Sequence, residues 1–432
     1  MNRNALLVTY YWPPSGGAGV QRPLKFAKYL PRFNVIPFVL TVENPTYPII
    51  DETLVEDVPD EGRVFQSKTC EPFSLYARLT GRSVEDSTKP TIQLASGGWK
   101  TKLSAWIRSN LFLPDARAGW LLTARHKALE ITRNHKIDTI ITTGPPHSVH
   151  FAGRYVKKQT GIQWIADFRD PWTGVYYNKL MPRTRLASAI DKKMERSVLS
   201  SADEVIVISD SMADIQRDIL ARPYHVIPNG FDPDDFDIPA DDPEYDGNRG
   251  ENSRFLIRFV GSVRDGAIPE GFLKALAAVQ DRSKFRMEFI GNAHPSLQRW
   301  IERLGLQDSV ELKSYVPHEE AIRAMCRADL LLLSISKTPG SELILTGKLF
   351  EYLGSGTPVL FLGTTSGDAA DVIREVGQGA CFEHDQVREI TRFLEEFDST
   401  IARSLSKPRG DRQHPYSRIR LTEQLAELIH HR

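Results

Sequence analysis

Short apolar runs that end in glycine or proline, each followed by an amphipathic stretch, recur along most of this 432-residue chain. Residues 5–10, 35–42, 138–142, 163–168, 204–209 and 225–227 form a first series. Near-continuous apolar runs of this length are strands buried on both faces, as in a parallel sheet covered by helices. Between the first two, Val20, Leu24 and Ala27 recur at helical spacing. A second series follows at 255–260, 286–290, 310–312, 330–333 and 359–362, with helices expected over 270–279, 319–326, 348–353, 368–376 and 418–429. Between the two series, residues 232–253 are acidic and broken by Pro233, Pro239 and Pro243. Such a stretch buries little apolar surface and marks a domain boundary. The chain is therefore expected to be α/β, with two doubly wound parallel-sheet domains: residues 1–235, an acidic linker 236–253, and residues 254–410. Residues 43–100, rich in proline and charge and without a clear period, read as a loop-rich insertion in the first domain.

Composition excludes several classes. Lys+Arg and Asp+Glu both total 55, so the basic excess expected of a nucleic-acid binder is missing. Cys70, Cys326 and Cys381 lie far apart, which fits neither a disulfide framework nor a zinc site. No apolar run approaches the roughly 20 residues that span a bilayer, and residues 1–10 lack a signal-peptide core. A cytoplasmic protein is expected, with the inner face of the membrane still open to it.

Ligands of open parallel sheets bind beyond the carboxyl ends of the strands. The first strand runs into Pro13-Pro14-Ser15-Gly16-Gly17-Ala18-Gly19 and then a helix. Its glycines and helix N-terminus suit a phosphate. Arg22 stands where a dinucleotide fingerprint needs its third glycine, so a plain turn is the competing reading and a dehydrogenase is disfavoured. Two further strand ends carry Gly144-Pro145-Pro146-His147 and Asp167-Phe168-Arg169-Asp170-Pro171-Trp172. Arg169 could hold an anion and Asp170 a hydroxyl; alternatively the two form a local pair with Trp172 as packing. His147 and His150 are equally compatible with an ordinary helix start.

The richest segment is 341–360, SELILTGKLFEYLGSGTPVL. Thr346 and Gly347 open a short helix whose first N–H groups are free. Lys348 and Glu351 share one face of it. A cation beside N–H donors suits a diphosphate, and a carboxylate one turn on suits ribose hydroxyls. A surface Lys/Glu pair is the competing reading.

At this segment the chain resembles the family 4 glycosyltransferases, of GT-B fold. The similarity runs in order through YYWPPSGGAGVQRPLKFAKYL, ADFRDPW, IPNGFD, FVGSV, FIGN, YVPHEE and TGKLFEYLGSGTPV. The resemblance implies two Rossmann-like domains facing a cleft, with residues 411–432 forming a helix that crosses back to the first domain. It implies a retaining, metal-independent transfer from a UDP- or GDP-sugar to a glycan or lipid-linked acceptor in surface polysaccharide synthesis. No cofactor beyond the donor is implied. Lys348 would meet the diphosphate and Glu351 the ribose, with Arg264, after Gly261 and Ser262, as a second phosphate group. Val316 would line the base through its backbone. Gly16 and Gly17 would border the donor, and His147 and Trp172 the acceptor or sugar side; Arg169 and Asp170 join Lys348 and Arg264 as catalytic candidates. The chain departs from the pattern in two places. Eight residues separate Glu342 from Glu351 where relatives have seven, with Leu343 in the expected place. Arg169 also stands where many relatives carry His. A sugar-nucleotide 2-epimerase and an inactive nucleotide-sugar-binding protein share the fold and are the alternatives. The epimerase opening, a Gly-Thr-Arg-Pro-type loop, is replaced here by Pro13-Pro14-Ser15-Gly16-Gly17.

Glycosyl transfer leaves negative charge on the departing diphosphate, which Lys, Arg and helix N-termini can stabilise. Asp234-Asp235 falls in the acidic stretch and reads as solvated surface rather than a metal ligand. Residues 97–120 interleave Trp99, Trp106, Phe112 and Trp120 with Lys100, Lys102, Arg108 and Arg117. Leu103, Trp106, Ile107 and Leu111 are spaced to share a helical face. This pattern fits either peripheral contact with an anionic membrane or a core-facing helix with a charged outer face.

Overall fold

The computed structural model describes residues 2–44, 50–69, 99–174, 181–238 and 254–431. The chain divides into two compact units, Met1–Pro228 with Leu421–Arg432, and Asn229–Arg420. The first unit contains strands β1 (Arg3–Thr9), β2 (Val35–Val42), β3 (Val64–Ser67), β4 (Thr139–Gly144), β5 (Gln163–Phe168), β6 (Glu204–Val207) and β7 (His225–Val226). They form one parallel sheet in the order β3-β2-β1-β4-β5-β6-β7. Its helices are α1 (Ala18–Tyr29), α2 (Trp99–Leu111), α3 (Leu121–Asn134), α4 (His150–Thr160), α5 (Arg185–Ser201) and α6 (Asp210–Ile219). The winding reverses between β1 and β4, so the carboxyl ends of these strands flank the crevice where such sheets take ligands.

The second unit repeats the plan. Strands β8 (Phe255–Val260), β9 (Phe285–Ile290), β10 (Val310–Lys313), β11 (Leu330–Ser334), β12 (Val359–Leu362) and β13 (Gly379–Phe382) form a parallel sheet ordered β10-β9-β8-β11-β12-β13. Helices α7 (Glu270–Ala278), α8 (Pro295–Arg303), α9 (His318–Cys326), α10 (Gly347–Ser355), α11 (Asp368–Val376), α12 (Val387–Glu396) and α13 (Ser399–Leu405) connect and cover it. Here the reversal lies between β8 and β11.

Two strands differ from the sequence reading, and both are edges. β3 falls in the stretch expected to be loop-rich, and β13 was not anticipated. An edge strand has one neighbour and needs few apolar residues, so Val64-Phe65-Gln66-Ser67 and Gly379-Ala380-Cys381-Phe382 do not announce themselves. Residues 70–98 of that stretch, Cys70 among them, and 239–253 of the acidic linker lie outside the described residues.

The division between units also falls earlier than the acidic composition suggests. Phe231 and Phe236 are buried in the core of the second unit. A Cβ on Gly354 would sit 2.6 Å from Phe236 and 2.7 Å from Phe231, so the helix passes close only because that residue is glycine. Phe231 pairs with the backbone around Ser417: its N–H donates to Tyr416 O at 3.1 Å and Arg418 N–H donates to its carbonyl at 2.8 Å. Arg412 holds Asp234 and Asp237 at 2.8 and 2.9 Å. The first acidic residues are thus paired, and only burial, not charge, marks where the unit begins. The last helix, α14 (Arg418–His430), packs Leu421, Leu425, Ala426 and Ile429 into the core of the first unit beside Ala5, Ile141, Ile165 and Ile206. Gln163 Nε2 donates to Leu428 O at 2.9 Å.

One buried ion pair joins the working edge of the first unit. Arg22 of α1 and Asp167 of β5 are both inaccessible to solvent, with Nη2 and Oδ1 at 2.8 Å. Arg22 Nε also donates to the carboxylate at 3.0 Å, Thr143 Oγ1 donates to Oδ2 at 2.7 Å, and Arg22 Nη1 donates to Pro228 O at 2.7 Å. Each of the three guanidinium nitrogens donates to an acceptor, as a buried charge requires. Breaking such a pair leaves an uncompensated charge, so Arg22→Met should destabilise the first unit by about 3–5 kcal/mol. The double variant Arg22→Met/Asp167→Leu should recover most of that loss. Urea midpoints, with hydrogen exchange at β1 and β4 amides, measure both. A single-variant loss under about 1 kcal/mol, as for exposed pairs, would contradict this reading.

Candidate functional site

In the second unit Gly261, Lys348, Glu351 and Arg264 come together at the carboxyl end of β8. Gly261 and Gly291 follow β8 and β9 with φ of +129° and +130°, a region that favours glycine. A Cβ on Gly291 would lie 2.6 Å from Gly261 O, and one on Gly261 would lie 2.8 Å from Lys348 Nζ. The missing side chain of Gly261 makes room for the lysine, and that of Gly291 makes room for the Gly261 carbonyl. Lys348 lies in the first turn of α10, its Nζ 4.3 Å from the centre of the Phe259 ring. Its ammonium has no hydrogen-bond or ion-pair partner among the described residues. Burial pushes its pKa down to about 8, with Glu351 opposing and Arg264 adding to the shift.

Thr346 caps α10, its Oγ1 accepting from Leu349 N–H at 3.4 Å, and the N–H groups of Gly347 and Lys348, at the first two positions of the helix, have no acceptor within it. Glu351 lies one turn on, and burial raises its carboxyl above the usual range. His318, Lys348 and Arg418 oppose that shift and Asp235 adds to it. Arg264 is exposed on the loop after β8, as is Ser262. Val316 is half-buried against the core at the entry to α9. Glu342 is exposed on a one-turn helix, Ser341–Leu343, whose backbone lies against Gly367.

In the first unit the predicted residues divide. Gly17 has φ of +96° and precedes α1, with Gly16 before it. Arg169 is buried, and its guanidinium donates to the carbonyls of Gly144 (3.3 Å), Gly19 (2.5 Å) and Pro145 (2.5 Å). It ties together the loops after β1, β4 and β5, so the expected anion-holding role gives way to bracing these three strand ends. Gly19 is needed for this, because a Cβ there would be 2.9 Å from Arg169 Nη1. Asp170 is exposed. Trp172 is buried, donates Nε1–H to Asp191 at 2.8 Å and stacks on His147 with ring centres 5.1 Å apart. It is packing, not a free platform for a sugar. Burial holds His150 down to about 3 and His147 well below the usual range, so both rings stay neutral. His150 Nδ1 lies 2.9 Å from Thr142 Oγ1, while His147 Nδ1 and His150 Nε2 are buried without partners among the described residues.

Sequence reasoning missed what holds the segment after β5. Asp191 and Glu195 sit one turn apart on α5 and both point inward. Asp191 takes Trp172 and pairs with Arg183 at 2.5 Å. Glu195 Oε2 accepts from the Thr173 hydroxyl and from its N–H at 3.2 Å. The i, i+4 spacing of the two carboxylates was the available signal, and it reads the same as a solvated face until burial is known.

A model described as Glycosyltransferase Family 4 matches residues 92–235, and one described as Glycosyl transferases group 1 matches residues 254–397. Together they span two thirds of the chain. The chain belongs to the family 4 glycosyltransferases. No curated protein matches its sequence. Among solved structures it is similar to HepE of Anabaena in complex with UDP and glucose, at 15% identity, TM-score 0.61 and 99% coverage of both chains. It is also similar to sucrose-phosphate synthase of Thermosynechococcus elongatus, at 15% identity, TM-score 0.61, covering 99% of this chain and 98% of that one. A glycosyltransferase from Rickettsia africae follows at 14% identity and TM-score 0.60, with 99% and 98% coverage. A putative UDP-N-acetylglucosamine 2-epimerase from Listeria monocytogenes aligns at 12% identity and TM-score 0.54, covering 99% and 96%. At these identities the likeness is one of fold, here GT-B. No described helix of this glycosyltransferase is long and apolar enough to cross a membrane.

Glu195 supplies a test of the first unit that needs no ligand. Burial pushes its carboxyl up to about 7, against the two Thr173 hydrogen bonds. The folded value lies above the unfolded one, near 4.3. Its contribution to stability is therefore complete below about pH 4 and is lost as pH rises through about 7. Glu195→Gln should flatten that part of the stability profile and gain on wild type by about 1–3 kcal/mol at pH 8. Thermal unfolding at pH 5 and pH 8 decides it; equal pH dependence in the two proteins would show that Glu195 does not titrate in this window.

Proposed function

We propose that this glycosyltransferase moves a sugar from a nucleotide sugar to a glycan or lipid-linked acceptor, with retention at the anomeric carbon, in surface polysaccharide synthesis. The observation that carries the donor half is Lys348: a desolvated ammonium without a hydrogen-bond or ion-pair partner among the described residues, at the start of α10 and at the strand end where the sheet reverses. The diphosphate is its counterion. Glu351 takes the ribose hydroxyls, Val316 backs the base and Arg264 closes on the phosphates from its exposed loop. UDP is the favoured nucleotide, since the similar Anabaena protein was crystallised with UDP and glucose.

In the reaction the bond from the anomeric carbon to the diphosphate oxygen breaks and a bond to the acceptor oxygen forms on the same face. The acceptor proton leaves on the departing diphosphate, so no strong general base is required. Lys348, Arg264 and the first turn of α10 stabilise the charge that develops there. Arg169 braces the acceptor-side loops and leaves Asp170 exposed, where it can accept a hydrogen bond from an acceptor hydroxyl. Glu342, exposed on the one-turn helix Ser341–Leu343, is assigned to the donor sugar.

Lys348→Ala should lower turnover of the preferred UDP-sugar by about 10–100-fold, the equivalent of one lost charge-assisted hydrogen bond. Glu351→Ala should raise the donor KM. Activity should persist in EDTA, because protein cations meet the leaving group. Product anomers read by NMR test retention. An epimerised donor in place of transfer, wild-type kinetics in both folded variants, or chelator inactivation reversed by Mg²⁺ would each contradict the corresponding part.

A further inference from the structure

The environment of Glu351 is built from four separate segments of the second unit. Besides Lys348 on its own helix, three charged residues act on its carboxylate: His318, the first residue of α9; Asp235, in the one-turn helix Pro233–Phe236; and Arg418, at the start of α14. After burial, the largest influence on Glu351 is that of His318, ahead of the lysine one turn away on the same helix face. His318 Nε2 lies 3.3 Å from Asp235 Oδ2. The imidazole thus has one carboxylate in contact and acts on a second.

Packing places Asp235. Phe231 before it and Phe236 after it are buried in the same core as Leu349, Phe350 and Leu353 of α10, and both rings lie against Gly354, three residues beyond Glu351. The Phe231 carbonyl accepts from Arg418 N–H at 2.8 Å, so the segment that brings Asp235 also fixes the backbone of Arg418. The Asp235 and His318 side chains are 25% and 30% exposed, which corrects the solvated surface that the acidic composition suggests. Two carboxylates in one half-buried region raise each other's proton affinity, and Asp235 has this effect on Glu351. A protonated imidazole in contact with one and near the other opposes it. It keeps Glu351 in the ionised form, whose two oxygens accept hydrogen bonds from a pair of hydroxyls.

We propose that His318 is a positioning residue for Glu351, and that Asp235, from the segment by which the chain enters the second unit, holds its ring. The pair sets selectivity for a nucleotide with intact ribose hydroxyls, and leaves affinity for the diphosphate to Lys348 and Arg264. Neither residue needs to touch the nucleotide. The proposal rests on the reading of Glu351 as the ribose ligand.

The test is calorimetric titration of the full chain with UDP and with its 2′,3′-dideoxy analogue. Wild type should prefer UDP by about 10–100-fold, as expected for charge-assisted hydrogen bonds to the hydroxyls. Glu351→Ala should bring that preference close to unity. His318→Ala should lower it by at least about threefold while the dideoxy analogue binds as it does to wild type, the mark of an effect carried through Glu351. His318→Gln, which fills the space without the charge, should show the same loss. His318→Ala/Asp235→Ala should lose no more than His318→Ala, because Asp235 acts through the ring. Equal weakening of both nucleotides in the His318 variants would mark a purely structural role and overturn the proposal. So would an undiminished preference in His318→Ala beside a lost one in Glu351→Ala, an outcome that leaves the ribose reading standing. No preference in wild type, or the same preference in Glu351→Ala, would overturn the ribose reading and the proposal with it.

Discussion

The buried pair Arg22–Asp167 is the constraint on which the first unit's working edge depends. It joins the helix after β1 to the end of β5, takes in Thr143 at the end of β4, and ends on the carbonyl of Pro228, the last residue of the main segment of that unit. Arg169, two residues on, spreads the same logic over three loop carbonyls. Two arginines therefore fix the loops that flank the sheet's reversal, one through a carboxylate and one through backbone. Neither is exposed, and the group left in solvent beside them is Asp170.

The second unit is arranged in the opposite sense. Gly261 leaves the space into which Lys348 comes, Gly291 leaves room for the Gly261 carbonyl, and among the described residues the lysine has no hydrogen-bond or ion-pair partner. Lys348 and Glu351 are both partly desolvated, each pushed toward its neutral form by burial. Holding such groups desolvated costs stability, and a ligand that supplies partners offsets that cost, as at many binding sites.

Much of this was legible in the sequence because its period is strong. Central strands such as Val35–Val42, Gln163–Phe168, Phe255–Val260 and Val359–Leu362 are apolar on both faces and were read to the residue. The edges β3 and β13 were not, since half-exposed strands carry no such run. Lys348, Glu351 and the glycines were found from chemistry at strand ends. Arg22 was noticed for the glycine it replaces, and its partner was invisible because residues 22 and 167 meet only in the folded sheet. Trp172 and His147 looked like an acceptor platform; burial and the Asp191 hydrogen bond turn them into packing. The acidic stretch misplaced the unit boundary because composition registers charge, while Phe231 and Phe236 anchor the chain before it.

The central claim is that Lys348 carries its proton to a donor diphosphate. Calorimetric titration of UDP near pH 9, in buffers of differing ionisation enthalpy, tests it directly. With a free-protein pKa of about 8, Lys348 is largely neutral there, so binding should take up close to one proton. Affinity should fall as pH rises from 8, and Lys348→Ala should bind more weakly with no uptake. UDP binding without proton uptake in the wild type, or with the same uptake in the variant, would contradict the account.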